Sequence, residues 1–335
     1  MTTVGVTPSG PRPTPVELPT RVQRIPLKTS TFAKLTDDGF RYAMLACSFT
    51  VLLIVGLLLF ELITRSKLSI HQFGFKFFTG SDWDPVAGQF GAFPFIYGTL
   101  VSSLVALIIA VPLAVGVAVY VTEMCPRPIR KAISFLTELL AAIPSVVYGL
   151  WAVFVLAPLL RDYVEPFLEK TLGWTGFFTG PKLGLGMLAA GIIMAIMIVP
   201  IISSITREVL VAVPQHQREA TLALGATRWE MIRTAVLPFG KPGVISAAML
   251  GLGRALGETI AVTIILSQPS SLDKFDLSIF YGGETFASKI ANNASEFSTP
   301  QKTGAYIAAG LVLFVLTFAV NAVARLVIAR TARED

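Results

Sequence analysis

Six long apolar stretches limit how this chain can fold more than any other feature of its sequence. Five of them contain no Asp, Glu, Lys, Arg or His, and the other contains only Arg254 and Glu258. The stretches are Tyr42–Phe60, Gly91–Thr122, Leu139–Leu160, Leu183–Thr206, Gly243–Gln268 and Thr303–Ala324. A helix of roughly 20 apolar residues crosses a bilayer core of about 30 Å. The sequence therefore predicts an all-α, polytopic membrane protein with six transmembrane helices.

The composition excludes several other classes of protein. Of the 335 residues, 53% are apolar and 14% are charged, whereas about 25% of a soluble domain is charged. Disorder requires the opposite balance, so most of the chain is expected to be folded. The only cysteines are Cys47 and Cys125, and the only histidines are His71 and His216. These counts exclude a disulfide framework and a multi-histidine metal centre.

The distribution of basic residues predicts the orientation in the membrane. With the N-terminus in the cytoplasm, 17 of the 27 Lys and Arg residues lie in cytoplasmic segments and 9 lie in external loops. The positive-inside rule then places both termini in the cytoplasm. The net charge of +6 is explained by this arrangement, so membrane lipid is the expected partner and nucleic acid is not.

The chain is expected to have three parts. Residues 1–40 are a Pro-, Thr- and Arg-rich cytoplasmic tail, for which disorder is expected, and they lack the pattern of a signal peptide. Residues 41–96 hold the first transmembrane helix and an external amphipathic loop, whose aromatic residues suit an interfacial belt or a docking surface. Residues 97–330 form the core. Its helices are expected near 97–121, 137–160, 184–205, 243–267 and 304–325, with a cytoplasmic loop at 207–241.

That cytoplasmic loop has the signals of two short helices. Pro214 suits the first turn of a helix, and Gly225 suits its left-handed end. Thr227 and Glu230 have the spacing of a capping box, and a second helix is predicted to follow until Pro238 stops it. A DNA-binding helix-turn-helix, a plain structural loop and a docking element are the three interpretations. A tether between two spans keeps such a unit away from a major groove, so docking of a cytoplasmic partner is favoured, with Gln217, Arg218 and Glu219 offered to a groove.

The same loop resembles the coupling loop of ABC-importer permeases. The family pattern is Glu-Ala-Ala, three residues, Gly, nine residues, Ile, one residue and Leu-Pro. The residues that match are Glu219, Ala220, Gly225, Leu237 and Pro238, while Thr221 and Ala235 depart from the pattern. The resemblance implies a type I ABC-importer permease fold and a loop that seats in an ATPase subunit. The chain has no P-loop sequence of its own, so no cofactor is expected on it, and ATP and Mg belong to the ATPase.

Arg254 and Glu258 are the charged residues inside the fifth stretch. A charge at the centre of a span costs roughly 2.5–3.5 kcal/mol on insertion scales and normally faces a pathway or the bundle interior. At i and i+4 the two side chains share a helix face and can pair. A packing salt bridge is one interpretation. An anion pathway is favoured, because a guanidinium suits bidentate recognition of an oxyanion.

The third stretch contains a second set of candidates for the pathway. Pro144 would open a backbone carbonyl in mid-span, beside the hydroxyls of Ser145 and Tyr148. A kinked interior helix in which Tyr148 only packs is an equally good interpretation of these residues.

Three segments resemble the permeases of the phosphate ABC importer. They are Gly251–Thr259, Ala141–Leu150 and Phe90–Leu100. The resemblance implies that the anion is inorganic phosphate. We expect Arg254 to alternate between Glu258, when the pathway is empty, and the substrate. The resemblance also implies three kinds of partner subunit: a second homologous permease, an ATPase present in two copies, and an external phosphate-binding protein. The chain itself would be a transport subunit in the cell membrane with no catalysis of its own.

Other functions remain as alternatives. Within ABC importers, the chain could carry another oxyanion such as molybdate or sulfate. A secondary transporter driven by an ion gradient is disfavoured by the coupling loop. A membrane enzyme is disfavoured because Arg254 and Glu258, with no histidine, cysteine or metal cluster nearby, make a poor catalytic set.

Overall fold

The computed structural model describes residues 31–266, 276–297 and 299–334. Residues 1–30 of the predicted tail lie outside these residues, but residues 31–40, for which disorder was expected, belong to a helix that begins at Thr31. The chain divides into two compact units, Met1–Leu57 and Leu58–Asp335. In the first unit, the side chains of residues 37–57 are all exposed, as expected for a helix surrounded by lipid. The cavities, hydrogen bonds and ion pairs described below belong to the second unit.

The described chain is mostly helical. The helices are α1 (Thr31–Phe73), α2 (Lys76–Thr79), α3 (Phe93–Val119), α4 (Arg127–Ala141), α5 (Ser145–Trp151), α6 (Ala157–Leu159), α7 (Glu165–Leu172), α8 (Met187–Val211), α9 (Gln215–Ala223), α10 (Arg228–Met231), α11 (Leu237–Leu256), α12 (Ile260–Ile265), α13 (Phe286–Asn292) and α14 (Pro300–Glu334). Wider π-helical turns occupy Tyr120–Met124, Ala152–Leu156, Leu160–Val164 and Ile232–Val236, and 3₁₀ turns occupy Gly173–Thr175 and Ala294–Glu296. Strands β1 (Trp83–Asp84) and β2 (Gln89–Phe90) form an antiparallel hairpin.

The six predicted spans are confirmed. Within the described ranges, six helical segments are long and apolar enough to cross a membrane. They are Asp37–Phe73, Phe93–Met124, Ser145–Thr175, Met187–Val211, Arg228–Leu256 and Pro300–Leu326. The all-α, multi-pass fold class follows from them.

The third span begins later than predicted. The sequence placed it at 137–160, but α4 ends at Ala141 and the spanning segment is Ser145–Thr175. Pro144 causes the shift, because a proline disfavours helical geometry at the residue before it and here precedes α5 in an extended conformation. Pro144 therefore lies at the start of a span and not in its middle.

The fifth span is longer at its start and broken near its end. The sequence predicted that Pro238 stops the second loop helix, but the π-helical turn at Ile232–Val236 continues into α11. Pro238 therefore lies inside a continuous helix, at the junction of the π-helical turn with α11, and does not end it. The helix predicted to be continuous from 243 to 267 instead ends at Leu256 and restarts at Ile260.

Small residues bring α3 and α8 together in the main core. Ala106, Ala110 and Ala114 are fully buried at i, i+4 and i+8 on α3. A side-chain carbon added at Gly191 of α8 would lie 2.5 Å from Val105, so the two backbones approach too closely for any larger residue. Small residues at helix contacts are the usual means of close packing in membranes. The same core includes residues of α5, α11 and α12.

Most aromatic residues of the first external loop pack inside the protein. Phe77 is fully buried, and the Trp83 ring lies 5.0 Å from the Phe90 ring and 5.1 Å from the Phe95 ring. This cluster is completed by residues of α13 and α14. Phe75 remains 79% exposed. The loop was expected to be an interfacial belt or a docking surface, but its packing forms a small external core.

Candidate functional site

A cavity of about 670 Å³ lies along one face of α11. Five of its lining residues, Ser246, Met249, Leu250, Gly253 and Arg254, follow the i, i+3, i+4, i+7, i+8 spacing of a single helix face. The others are Ile201 of α8 and Asn321 and Arg325 of α14. The cavity therefore lies between three membrane-spanning helices, which is where polar residues of membrane proteins normally mark a substrate pathway.

The charged groups of this cavity are all positive. Arg254 and Arg325 line it, and none of its described lining residues is Asp or Glu. Neither arginine takes part in an ion pair among the described residues. Two guanidinium groups with unused donors can hold an oxyanion through paired, charge-assisted hydrogen bonds. The site is therefore suited to an anion with several equivalent oxygens.

Two polar residues of the cavity each retain hydrogen-bonding capacity. Ser246 Oγ donates to the Pro242 carbonyl at 2.9 Å, and Asn321 Nδ2 donates to the Thr317 carbonyl at 2.9 Å. The Ser246 oxygen can still accept, and the Asn321 amide keeps a second N–H. These bonds within each helix hold both side chains in fixed positions at the cavity wall.

Arg254 and Glu258 do not share a helix face in this structure. Arg254 lies in the last turn of α11, whose cap is Gly257, and Glu258 Oε1 accepts from the Ala261 backbone N–H at 3.2 Å in the first turn of α12. No described contact joins the two charges as an ion pair. Arg254 instead lies at the partially negative C-terminal end of α11, and Glu258 lies at the partially positive N-terminal end of α12. Each charge is favourable at its own helix end. The predicted i, i+4 pair is thus replaced by a helix break with a cation on one side and an anion on the other.

Tyr148 and Ser145 lie on α5, away from the cavity wall. The buried Tyr148 hydroxyl donates to the Leu140 carbonyl at 2.7 Å, which ties α5 to the end of α4. Ser145 is half-buried in the first turn of α5. Of the four predicted pathway residues, only Arg254 lines the cavity.

The cytoplasmic loop has the predicted local structure. Helix α9 runs Gln215–Ala223, and Gly225 has the left-handed φ of +86°. The Thr227 hydroxyl accepts from the Glu230 N–H at 3.3 Å, while the Glu230 carboxylate accepts from the Thr227 N–H at 2.7 Å. This reciprocal capping box is the one predicted from the sequence.

Arg218 points into the protein and is not offered to a partner. Its guanidinium pairs with Glu123 Oε1 at 2.9 Å and donates to the carbonyls of Leu210, at 2.7 Å, and Val213. The two side chains of the pair are 14% and 8% exposed. Arg218 therefore fixes α9 to the ends of the second and fourth spans. The exposed neighbours Glu219 and Ala220 remain accessible.

A groove of about 600 Å³ lies between α9 and the start of α11. Several positions of the coupling-loop pattern line it. Its lining residues are Gln217, Ala220, Thr221, Thr234, Ala235, Pro238, Phe239 and Pro242. Leu237 instead packs against a buried cluster below the loop.

The loop also exposes Leu224, at 89%, and Trp229, at 60%. Large apolar side chains exposed on a cytoplasmic loop are typical of an interaction surface.

Three polar residues of the cavity were not recognised from the sequence. Ser246 is an isolated hydroxyl, Asn321 lies in an apolar stretch, and Arg325 was counted among the basic residues that set topology. The i, i+4 spacing of Asn321 and Arg325 was the available signal, because it places both on one face of the last helix.

A six-span helical fold with a basic cavity between its spans and a two-helix loop is the arrangement expected of a permease subunit. A family profile described as "Binding-protein-dependent transport system inner membrane component" matches residues 110–333. Among solved structures, a bacterial ABC transporter involved in alginate import is similar with a TM-score of 0.57 and 19% identity, covering 89% of this chain and 98% of that one.

Relatives of much higher identity narrow the assignment. A protein of Mesorhizobium japonicum named phosphate transport system permease protein PstC is 41% identical over 300 residues, covering 88% of this chain and 91% of that protein. A protein of the same name from Mycobacterium leprae is 46% identical over 271 residues, covering 79% and 84%. The chain belongs to the binding-protein-dependent transport permeases and, within them, to the PstC family.

Proposed function

We propose that this chain is a transmembrane permease subunit of an ATP-driven importer that moves inorganic phosphate into the cytoplasm. The observation that carries the proposal is the cavity of about 670 Å³ that both Arg254 and Arg325 line, with no acidic residue among its described lining residues. A doubly charged oxyanion would neutralise both arginines. The names of the PstC relatives support phosphate as that oxyanion.

The partners follow from the same family. The chain would assemble in the cytoplasmic, or inner, membrane with a PstA-like permease, a dimer of PstB-like ATP-binding subunits and an external PstS-like phosphate-binding protein. The groove lined by Ala220, Thr221 and Pro238, beside the exposed Leu224, is the surface for the ATP-binding subunit. ATP and Mg would bind that subunit. Movements of the ATP-binding subunits would reach the spans through α9, which Arg218 holds rigidly.

Arg254 has the central position in this proposal. It lies beside the helix break at Gly257–Thr259, and broken helices at membrane depth are typical of transporter binding sites. A small change of backbone at the break would alter the distance between Arg254 and Glu258. Glu258 could then neutralise Arg254 when the pathway is empty, although the two charges are unpaired in the present state.

The test is phosphate uptake by Arg254→Gln. We expect uptake to fall at least tenfold, because the substitution removes one of two cations from the cavity, while membrane insertion and ATP-binding-subunit assembly stay normal. Arg161→Gln is the matched control, since Arg161 is also an exposed arginine on a span but lies outside the cavity and is paired with Asp162 at 2.8 Å. Sulfate and molybdate serve as competitors. Normal uptake by Arg254→Gln contradicts the proposal, and equal competition by sulfate contradicts phosphate selectivity.

A further inference from the structure

A second cavity, of about 410 Å³, lies where the helix pair α3 and α8 meets α4. Its polar lining comprises Thr122, Arg130, Lys131, Ser134, Glu138 and Arg207. None of these residues lines the cavity at Arg254 or the groove of the cytoplasmic loop. By the predicted topology, this cavity opens at the cytoplasmic surface of the membrane.

The charge of this cavity is predominantly positive. Arg130, Lys131 and Arg207 face one carboxylate, Glu138. Arg207 Nη2 lies 3.2 Å from Glu138 Oε1, but the Glu138 side chain is 60% exposed, so solvent weakens this pair. Two positive charges therefore remain without an acidic counterpart among the described lining residues.

Arg130 is held rigidly and still has an unused buried donor. Its Nη2 donates to the Thr122 carbonyl at 3.0 Å, which fixes the guanidinium at the end of the second span. Arg130 Nε and Thr122 Oγ1 are both buried and have no hydrogen-bond partner. Buried polar atoms without partners are rare in native proteins. Two such atoms in one cavity wall indicate a ligand with acceptor oxygens.

Stabilisation of the helix end explains only part of this arrangement. A cation near the last carbonyls of a helix is favourable, and the bond from Arg130 to Thr122 supplies it. That role does not require Lys131 or Arg207, and it leaves Arg130 Nε unused.

The apolar side chains of Val121, Phe135 and Val211 complete the wall of the cavity. They give an acyl chain a surface beside the basic groups.

We infer that this cavity binds a phosphate-group anion through Arg130, Lys131 and Arg207. The headgroup of an anionic phospholipid and free orthophosphate share this chemistry. Basic pockets between spans on the cytoplasmic side are suited to lipid headgroups, and the apolar wall favours a lipid. The inference does not depend on which substrate the importer carries.

The lipid arm of the test uses the assembled transporter in nanodiscs of phosphatidylglycerol and phosphatidylcholine. Native mass spectrometry counts the phosphatidylglycerol molecules retained after delipidation. Arg130→Gln and Arg207→Gln are compared with Arg127→Gln, which removes an exposed charge from the same α4 helix outside the cavity. We expect at least fivefold lower retention in the first two variants and none of this loss in the third.

The orthophosphate arm measures equilibrium binding of radiolabelled phosphate to the same transporter in neutral detergent, without the external binding protein. Arg254→Gln serves as the background, so that only the second cavity is measured. Loss of binding with Arg130→Gln supports the inference and identifies free phosphate as the ligand. If Arg130→Gln and Arg207→Gln both match Arg127→Gln in the two arms, the inference is wrong. Uptake by Arg254→Gln tests the proposed function separately.

Discussion

Arg254 and Arg325 lie on different helices and line the same cavity. At the scale of single residues, this juxtaposition is the main finding, because each arginine alone has an ordinary explanation. The positive charge of Arg254 is favourable at the partially negative C-terminal end of α11. Arg325 is one of the basic residues that the positive-inside rule expects in a cytoplasmic segment. Together they are suited to a multiply charged oxyanion, which is what the proposed function requires.

Arg325→Gln tests this pairing. We expect it to weaken phosphate uptake several-fold and to raise KM more than it lowers the maximal rate, because Arg254 remains to direct the anion. Lys302→Gln is the matched control, since it removes a charge from the opposite end of the same helix α14. Transport assays over a range of phosphate concentrations measure the effect. Equal kinetics for the two variants would show that Arg325 does not contact the substrate.

Tyr148→Phe tests whether this hydroxyl is structural. The change removes the bond to the Leu140 carbonyl, so we expect a stability loss of about 0.5–1.5 kcal/mol and uptake within twofold of the original. Thermal unfolding of the purified transporter and phosphate uptake are the two measurements. An uptake defect as large as that of Arg254→Gln would instead place the hydroxyl in the pathway.

At the scale of elements, helix α9 is attached to the spans by one buried residue. Arg218 bonds the carbonyls of Leu210 and Val213 and pairs with Glu123. Direct contacts of one side chain therefore join the ends of two spans to the cytoplasmic loop. This attachment gives the loop the rigidity that mechanical coupling to an ATP-binding subunit needs.

Arg218→Gln should uncouple ATP hydrolysis from transport. It leaves Glu123 almost buried without its charge partner, which costs about 3–5 kcal/mol where a pair is fully buried and less at this partial exposure. We expect a lower unfolding temperature and fewer phosphate ions moved per ATP. The exposed Arg228→Gln in the same loop is the control. The double variant Arg218→Met with Glu123→Met should recover part of the stability, and a failure to do so would argue against the pair.

At the scale of the whole molecule, the six spans and the positive-inside rule predict opposite sides for two exposed positions. Val86, at 94% exposure, lies in the hairpin of the first external loop, and Leu224, at 89%, lies in the cytoplasmic loop. With Cys47 and Cys125 replaced by serine, Val86→Cys should react with an impermeant maleimide in intact cells. Leu224→Cys should react only after the membrane is opened. The reverse pattern would invert the topology.

Helix breaks limited the prediction of the spans from the sequence. The number of spans, the capping box and the left-handed Gly225 follow from local patterns, and the structure confirms them. The break after Leu256 and the late start of the third span were missed, because an apolar stretch does not reveal where a glycine or proline interrupts its helix. The predicted Arg254–Glu258 pair depended on an unbroken helix and is absent here.

The sequence by itself determined that the chain spans a membrane six times and that a two-helix loop carries the pattern of an ABC-importer permease. These features depend on apolar length, capping and short spacing, all of which are local. The tertiary structure alone decided that Arg325 joins Arg254, that Arg218 faces inward, and that Arg130 borders a second cavity. Each of these depends on contacts between residues from about 70 to 95 positions apart, or on the packing of separate helices. No periodicity within a single helix specifies such contacts, because they arise only when the spans pack against one another.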